Sequence, residues 1–146
     1  MDTHAHWFIR IPFAATFIFH GLGKFGNLAG SAEMLGLPVM LIIIVALAEI
    51  LAGVGAIVGG FSFFNKQNLV TRLAGLAAAP VLLGAIFMVH FPRFSFVPTE
   101  GFPMGGFEFQ LLLLGIATYF MLTGSEQSAT LNNKQAVKQE AIQVTQ

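Results

Sequence analysis

The chain has 146 residues, 55% of them hydrophobic and only 10% charged, with zero formal net charge and a mean hydropathy of +0.77. A soluble domain carries roughly 25% charged residues, so a membrane protein is expected, and seven scattered basic residues disfavour a nucleic-acid partner. The absence of cysteine excludes a disulfide relay, a thiolate nucleophile, covalently attached c-type haem and a cysteine-ligated iron–sulfur cluster.

The apolar run that begins at Trp7 contains Arg10, lacks a basic segment ahead of it and has no clear small-x-small site after it. It reads as a first membrane span over about 7–25 rather than a signal peptide. Further apolar stretches occur at about 38–61, 69–91 and 107–123, each near the roughly 20 residues a bilayer crossing needs. In lipid each backbone amide must be satisfied within its own segment, so the spans are helices. The expected fold is all-α: a polytopic membrane protein whose residues 1–125 form an antiparallel four-helix transmembrane bundle, with a polar cytoplasmic tail at 126–146. Pro38 suits the first turn of its helix, and Pro80 is expected to kink the third span. Residues 62–68 read as a short polar turn, and 92–106, with three prolines and three glycines, as an irregular loop.

An even number of spans puts both termini on one side. That side carries Arg10, Lys66, Arg72, Lys134 and Lys138, against Lys24 and Arg93 on the other. The positive-inside rule then places the termini in the cytoplasm of a cell whose inner membrane the chain crosses several times.

The stretch GLGKFG at 21–26 matches a dinucleotide fingerprint in letters alone. It closes an apolar helical run instead of joining a strand to a helix, and Lys24 is followed by Phe25, which also excludes a Walker A loop. Its glycines are expected to serve helix packing and termination.

The ionisable residues in or beside the spans are Arg10, His20, Lys24, Glu49, His90 and Glu108. Charges at mid-membrane are costly and face the bundle interior. Helical spacing puts Arg10, Phe13, Phe17, His20 and Lys24 on one stripe of the first span, and Ile42, Ala46, Glu49, Gly53, Ala56 and Gly60 on one stripe of the second. Similar stripes are expected at Arg72, Leu76, Ala79, Leu83, Ile86 and His90, and at Glu108, Leu112, Gly115 and Tyr119. At 1.5 Å per residue, Lys24, His90 and Glu108 fall within roughly 5 Å of the outer helix ends, His20 about 9 Å down and Glu49 about 16 Å down. The result is a polar funnel that narrows to Glu49 and is backed by Arg10. Lys24 as a snorkelling residue, His90 and Glu108 as interfacial residues, and the whole set as glue between helices are competing accounts.

Arg10, His20-Gly21-x-x-Lys24, Ala46-x-x-Glu49-x-x-x-Gly53 and Gly59-Gly60, with His90 and Gly105–Glu108, together resemble the DoxX family of small four-helix membrane proteins. The resemblance covers about residues 7–125. It implies a relation to the membrane subunit of thiosulfate:quinone oxidoreductase, and to oxidative-stress and sulfur handling.

Several functions stay open. One is a redox-linked membrane subunit, with Glu49 and His20 as catalytic proton-handling groups, and Arg10, Lys24, His90, Glu108 and Tyr119 around the polar pocket. A membrane quinone is then the candidate cofactor, the bilayer and a redox subunit or a second copy the partners, and a sulfur anion a candidate donor at Lys24. A proton or small-solute pathway and a non-enzymatic assembly subunit are the alternatives. A metal held by His20, His90, Glu49 and Glu108 is the weaker reading, because Lys24 opposes a cation and no His-x-x-His or Glu-x-x-His pair lies on one helix.

Overall fold

The computed structural model describes residues 4–61 and 66–125. The tail expected at 126–146 and most of the turn at 62–68 lie outside these residues. The described residues form five α-helices and no strand: α1 (Trp7–Gly26), α2 (Leu28–Leu35), α3 (Val39–Val58), α4 (Gln67–Ala85) and α5 (Glu108–Thr123). A π-helical turn, Ile86–His90, extends α4. Helix α2 is a short element that apolar patterning did not single out. Asn27 starts it by accepting a side-chain hydrogen bond from Gly30 N at 2.9 Å, and Gly36, at φ 63, ends it in the left-handed conformation.

Helix α1 packs on α3, α3 on α4 and α4 on α5, while α1 touches α5 only lightly. Small residues set these contacts. A Cβ on Gly21 would sit 2.8 Å from Ala46 O, and one on Gly53 2.9 Å from Ala14 O, so α1 and α3 meet backbone to backbone along antiparallel courses. A Cβ on Gly75 would lie 2.8 Å from Met121 N, which fixes α4 against α5. The core is built from Phe13, Ala14, Phe17, Ala52, Ala56, Ala74, Ala78, Leu82, Leu113, Ala117 and Phe120.

The expected inward stripe of α3 matches its buried residues, Ile42, Ala46, Glu49, Gly53 and Ala56. The stripes expected on the third and fourth spans differ. Helix α4 buries Gln67, Thr71, Ala74, Gly75, Ala78 and Leu82, and Arg72, Leu76 and Leu83 are exposed. Helix α5 buries Leu113, Ala117 and Phe120, and Leu112, Gly115 and Tyr119 face outward. Both helices are apolar all round, so the face is chosen by the close approach of Gly75 to α5 and not by hydrophobicity. The π-turn then corrects the end of the third span. Phe91 N donates to Ile86 O at 2.8 Å, an i→i+5 bond that admits one extra residue. An extra residue turns the remainder of the helix by about 100°, and His90 is buried, like Leu82 and Ile86 before it.

The outside of the protein is apolar. Phe8, Phe19, Met40, Leu51, Phe87 and Leu122 are each more than half exposed. Surfaces of this kind exceed what a soluble monomer leaves to water. Among the described residues two helical segments are long and apolar enough to cross a membrane, Val39–Val58 with mean hydropathy 2.7 and Gln67–His90 with 2.0. Helix α1 has the length, but Arg10, His20 and Lys24 lower its apolarity, and α5 spans only 16 residues.

Candidate functional site

The helices close at one end and part at the other. At the closed end Arg10 is 2% exposed. Its Nη1 donates to Ala56 O at 2.7 Å and to Thr71 Oγ1 at 3.1 Å, and its guanidinium lies 4.9 Å from the centre of the Phe120 ring. Thr71 Oγ1 in turn donates to Gly59 O at 3.2 Å. Phe13 meets Phe120 edge to face at 5.2 Å, joining α1 to α5. Arg10 therefore clasps the closed end and does not back Glu49 as the helical stripe suggested. Some fourteen residues separate it from Lys24, about 21 Å along α1.

At the other end the helices enclose a cavity of about 420 Å³. Among its lining residues are His20 and Lys24 of α1, Glu49 of α3, His90 of the π-turn and Gln110 of α5. Phe17, Leu82 and Leu113, all buried, line it toward the core. Met34 and Leu35 of α2, with Met104 of the 92–106 loop, line it at the helix ends.

The polar centre of the cavity is an ion pair. Lys24 Nζ donates to Glu49 Oε1 at 2.8 Å and to Oε2 at 2.7 Å, with the two side chains 18% and 7% exposed. The approach of α1 to α3 at Gly21 produces it, because Gly21 packs on Ala46 and Glu49 and sets Lys24, one turn later, above the carboxylate. The pair carries no net charge. His20 also lines the cavity, and neither of its ring nitrogens has a hydrogen-bond partner among the described residues.

His90 is held differently. A carbonyl can only accept, so Nδ1 carries the hydrogen and donates to Gly105 O at 3.1 Å. Nε2 of that tautomer accepts from the Gln110 amide nitrogen at 2.8 Å. Both nitrogens are occupied, and His90 pins the irregular loop and the start of α5 to the end of α4. Gln110 was not among the residues singled out by charge, although an amide inside an apolar span is itself a signal.

Glu108 and Tyr119 stand outside the cavity. Glu108 Oε2 accepts from Phe96 N at 3.2 Å and so ties down the loop at the head of α5. Tyr119 lies on the outward face of α5, 39% exposed. Of the seven residues expected around the pocket, the cavity gathers His20, Lys24, Glu49 and His90. Among the described residues no group of three His, Asp or Glu side chains is arranged to hold a metal ion.

No curated protein and no solved structure matches the chain. The DoxX family profile matches residues 5–91, which takes in α1 to α4 and the π-turn, and leaves the loop and α5 outside. With the clasped arginine, the His-Gly-x-x-Lys end of α1 and the Glu49 that pairs with it all inside that match, the chain belongs to the DoxX family and is a membrane protein.

Proposed function

We propose that the chain is a redox-linked membrane subunit that holds the head group of a quinone in the cavity between α1, α3, α4 and α5. In this reading α1, α3, α4 with its π-turn, and α5 form a four-helix transmembrane bundle in the inner membrane. Both termini are cytoplasmic, and the cavity lies toward the opposite face. The apolar exterior supports it, as does the alternation of helix directions.

The observation that carries the proposal is the neutral Lys24–Glu49 pair set, with His20, in a mostly apolar cavity. Lys24 has one N–H beyond the two it gives Glu49, and can donate it to a carbonyl oxygen. His20 has both ring nitrogens available to donate or accept a proton beside that oxygen. Reduction of a quinone places charge on its oxygens, which an ammonium stabilises, and needs protons, which Glu49 and His20 are placed to handle. Because Glu49 already balances Lys24, the cavity favours an uncharged ligand over a sulfur anion. The two electrons reach the quinone from a bound small-molecule donor or through a partner, since the chain offers no thiolate.

A second reading, an assembly subunit without chemistry, draws on the same pair, because Lys24 and Glu49 also join α1 to α3. Native mass spectrometry of the protein taken from its own membranes in mild detergent separates the two. A bound quinone that is lost in His20→Ala supports the redox reading. A second protein chain with no small molecule supports assembly and ends the quinone proposal.

A further inference from the structure

The shape of the cavity says more about the ligand than its polar centre does. Leu41, Val45 and Glu49 line it at successive turns of α3, and Pro80 and Gly84 of α4 with Met88 of the π-turn line it opposite them. The two rows run antiparallel and cover the same two helical turns, about 12 Å. Lower down, the same two helices are in contact, with Gly55 against Ala74 and Gly59 against Thr71. The cavity thus occupies the α3–α4 seam over the stretch where the helices part. Gly84 leaves a notch there, since a Cβ on it would meet nothing within 4 Å.

The rim of this seam is apolar and exposed: Leu41 is 40% exposed, Met88 59%, and Pro80 is exposed too. At the helix ends, by contrast, Met34, Leu35 and Met104 stand over the cavity. The way in is therefore through the side of the molecule, at the level of its apolar exterior.

Resting on the quinone reading above, we infer that the ligand is a tailed one that reaches the cavity from the bilayer. Its neutral head lies at Lys24, Glu49 and His20, and its apolar tail leaves through the α3–α4 seam across Gly84. A head alone would not need the seam. The rim of the seam itself carries no polar group to guide a ligand arriving from water. In hydrocarbon the tail gains little free energy from burial, because lipid chains are as apolar as the seam. The seam therefore acts by shape: it lets a tail pass without forcing the helices apart.

The test uses the full chain in lipid nanodiscs and two probes with one head group: a benzoquinone with a decyl tail and its tail-less counterpart. Retention is read by native mass spectrometry at fixed probe-to-lipid ratio. In Gly84→Phe the ring fills the notch from a position with open space around it, so the fold is kept, and circular dichroism and size exclusion confirm this. The wild-type protein is expected to retain both probes. Gly84→Phe is expected to lose the tailed probe by about tenfold or more and to keep the tail-less one within about twofold. Gly23→Phe, which fills the cavity from α1, is the control and is expected to weaken both probes. Equal retention of the tailed probe by Gly84→Phe and the wild type overturns the inference and leaves the quinone site standing. Equal loss of both probes in Gly84→Phe overturns it as well. A wild-type protein that retains neither probe overturns the quinone reading itself.

Discussion

Removing one member of the Lys24–Glu49 pair tests both the packing of α1 on α3 and the electrostatics of the cavity. An ammonium and a carboxylate about 3.5 Å apart, centre to centre, attract by about 5 kcal/mol at an effective dielectric of about 20. Much of that attraction offsets the cost of taking both charges out of water. The loss on breaking the pair depends on which charge is left behind. Lys24→Met strands a carboxylate whose side chain is 7% exposed and which has no second donor among the described residues. The expected loss of stability is about 3–5 kcal/mol. Glu49→Gln strands an ammonium on a flexible stem within one turn of the end of α1, already 18% exposed. Lys24 can then reach toward the interface, and the expected loss is only about 1–2 kcal/mol. The double variant Lys24→Met/Glu49→Gln leaves no stranded charge and should return to within about 1 kcal/mol of the wild type, a coupling of about 3 kcal/mol or more. Equilibrium unfolding in mixed micelles, monitored by circular dichroism, measures all four proteins. Additive losses, or a larger loss from Glu49→Gln than from Lys24→Met, would refute the pairing argument. A stable double variant that fails to retain a quinone probe held by the wild type would assign the pair to ligand binding beyond its part in folding.

Three other outcomes are expected. Gly21→Leu should cost about 1–3 kcal/mol, because Ala46 O is backbone and cannot move aside, while Gly23→Ala, with open space around it, should stay within about 0.5 kcal/mol; thermal unfolding of both reads this. Arg10→Met removes the donor to Ala56 O and Thr71 and should lower stability by about 3 kcal/mol, with quinone retention in the folded fraction unchanged. A specific loss of retention would place Arg10 in the site after all. Gln110→Leu leaves His90 Nε2 without its donor and should release the loop clasp. Amide exchange should then quicken at Gly106 and Phe107, which donate to Ser95 O and Arg93 O. Unchanged protection at those amides would show that the loop holds without the Gln110–His90 bond.

The helical segments and the chemistry of α1 and α3 were legible because the sequence marks them twice, once by length and once by a polar or small residue at every turn. Arg10 and Glu49 cannot face hydrocarbon at depth without cost and are buried as their stripes require, whereas His20, on the same stripe as Arg10, is exposed where it lines the cavity. No such mark exists on α4 or α5. Leu76 and Leu83 are as apolar as Leu82, and the choice among them is made by Gly75 and Ala117 meeting, a property of two helices together. The 3.6-residue period placed His90 inward, where the structure also has it, but on a stripe with Arg72, Leu76 and Leu83, which are exposed. The burial of His90 depends on an extra residue in the π-turn, which a 3.6-residue period cannot represent. The pairing of charges was also underdetermined: depth set Arg10 and Glu49 far apart but did not exclude them as partners, whereas the contact at Gly21 gives Glu49 to Lys24. The short helix α2 did carry signals, an asparagine at its start and a glycine just after its end, which a search for long apolar runs passes over.

The neutrality of the Lys24–Glu49 pair has an electrical consequence. A membrane potential acts on a charge across the bilayer with about 2.3 kcal/mol per 100 mV. Two opposite charges 2.7 Å apart form a short dipole that samples almost none of that drop. A neutral ligand bound beside them adds nothing to it, so occupancy of the cavity should be the same in an energised and a de-energised cell. Only a step that delivers a proton to Glu49 from one side of the membrane, and so leaves Lys24 as an uncompensated cation, moves charge in the field. Binding would then be blind to voltage while turnover would feel it.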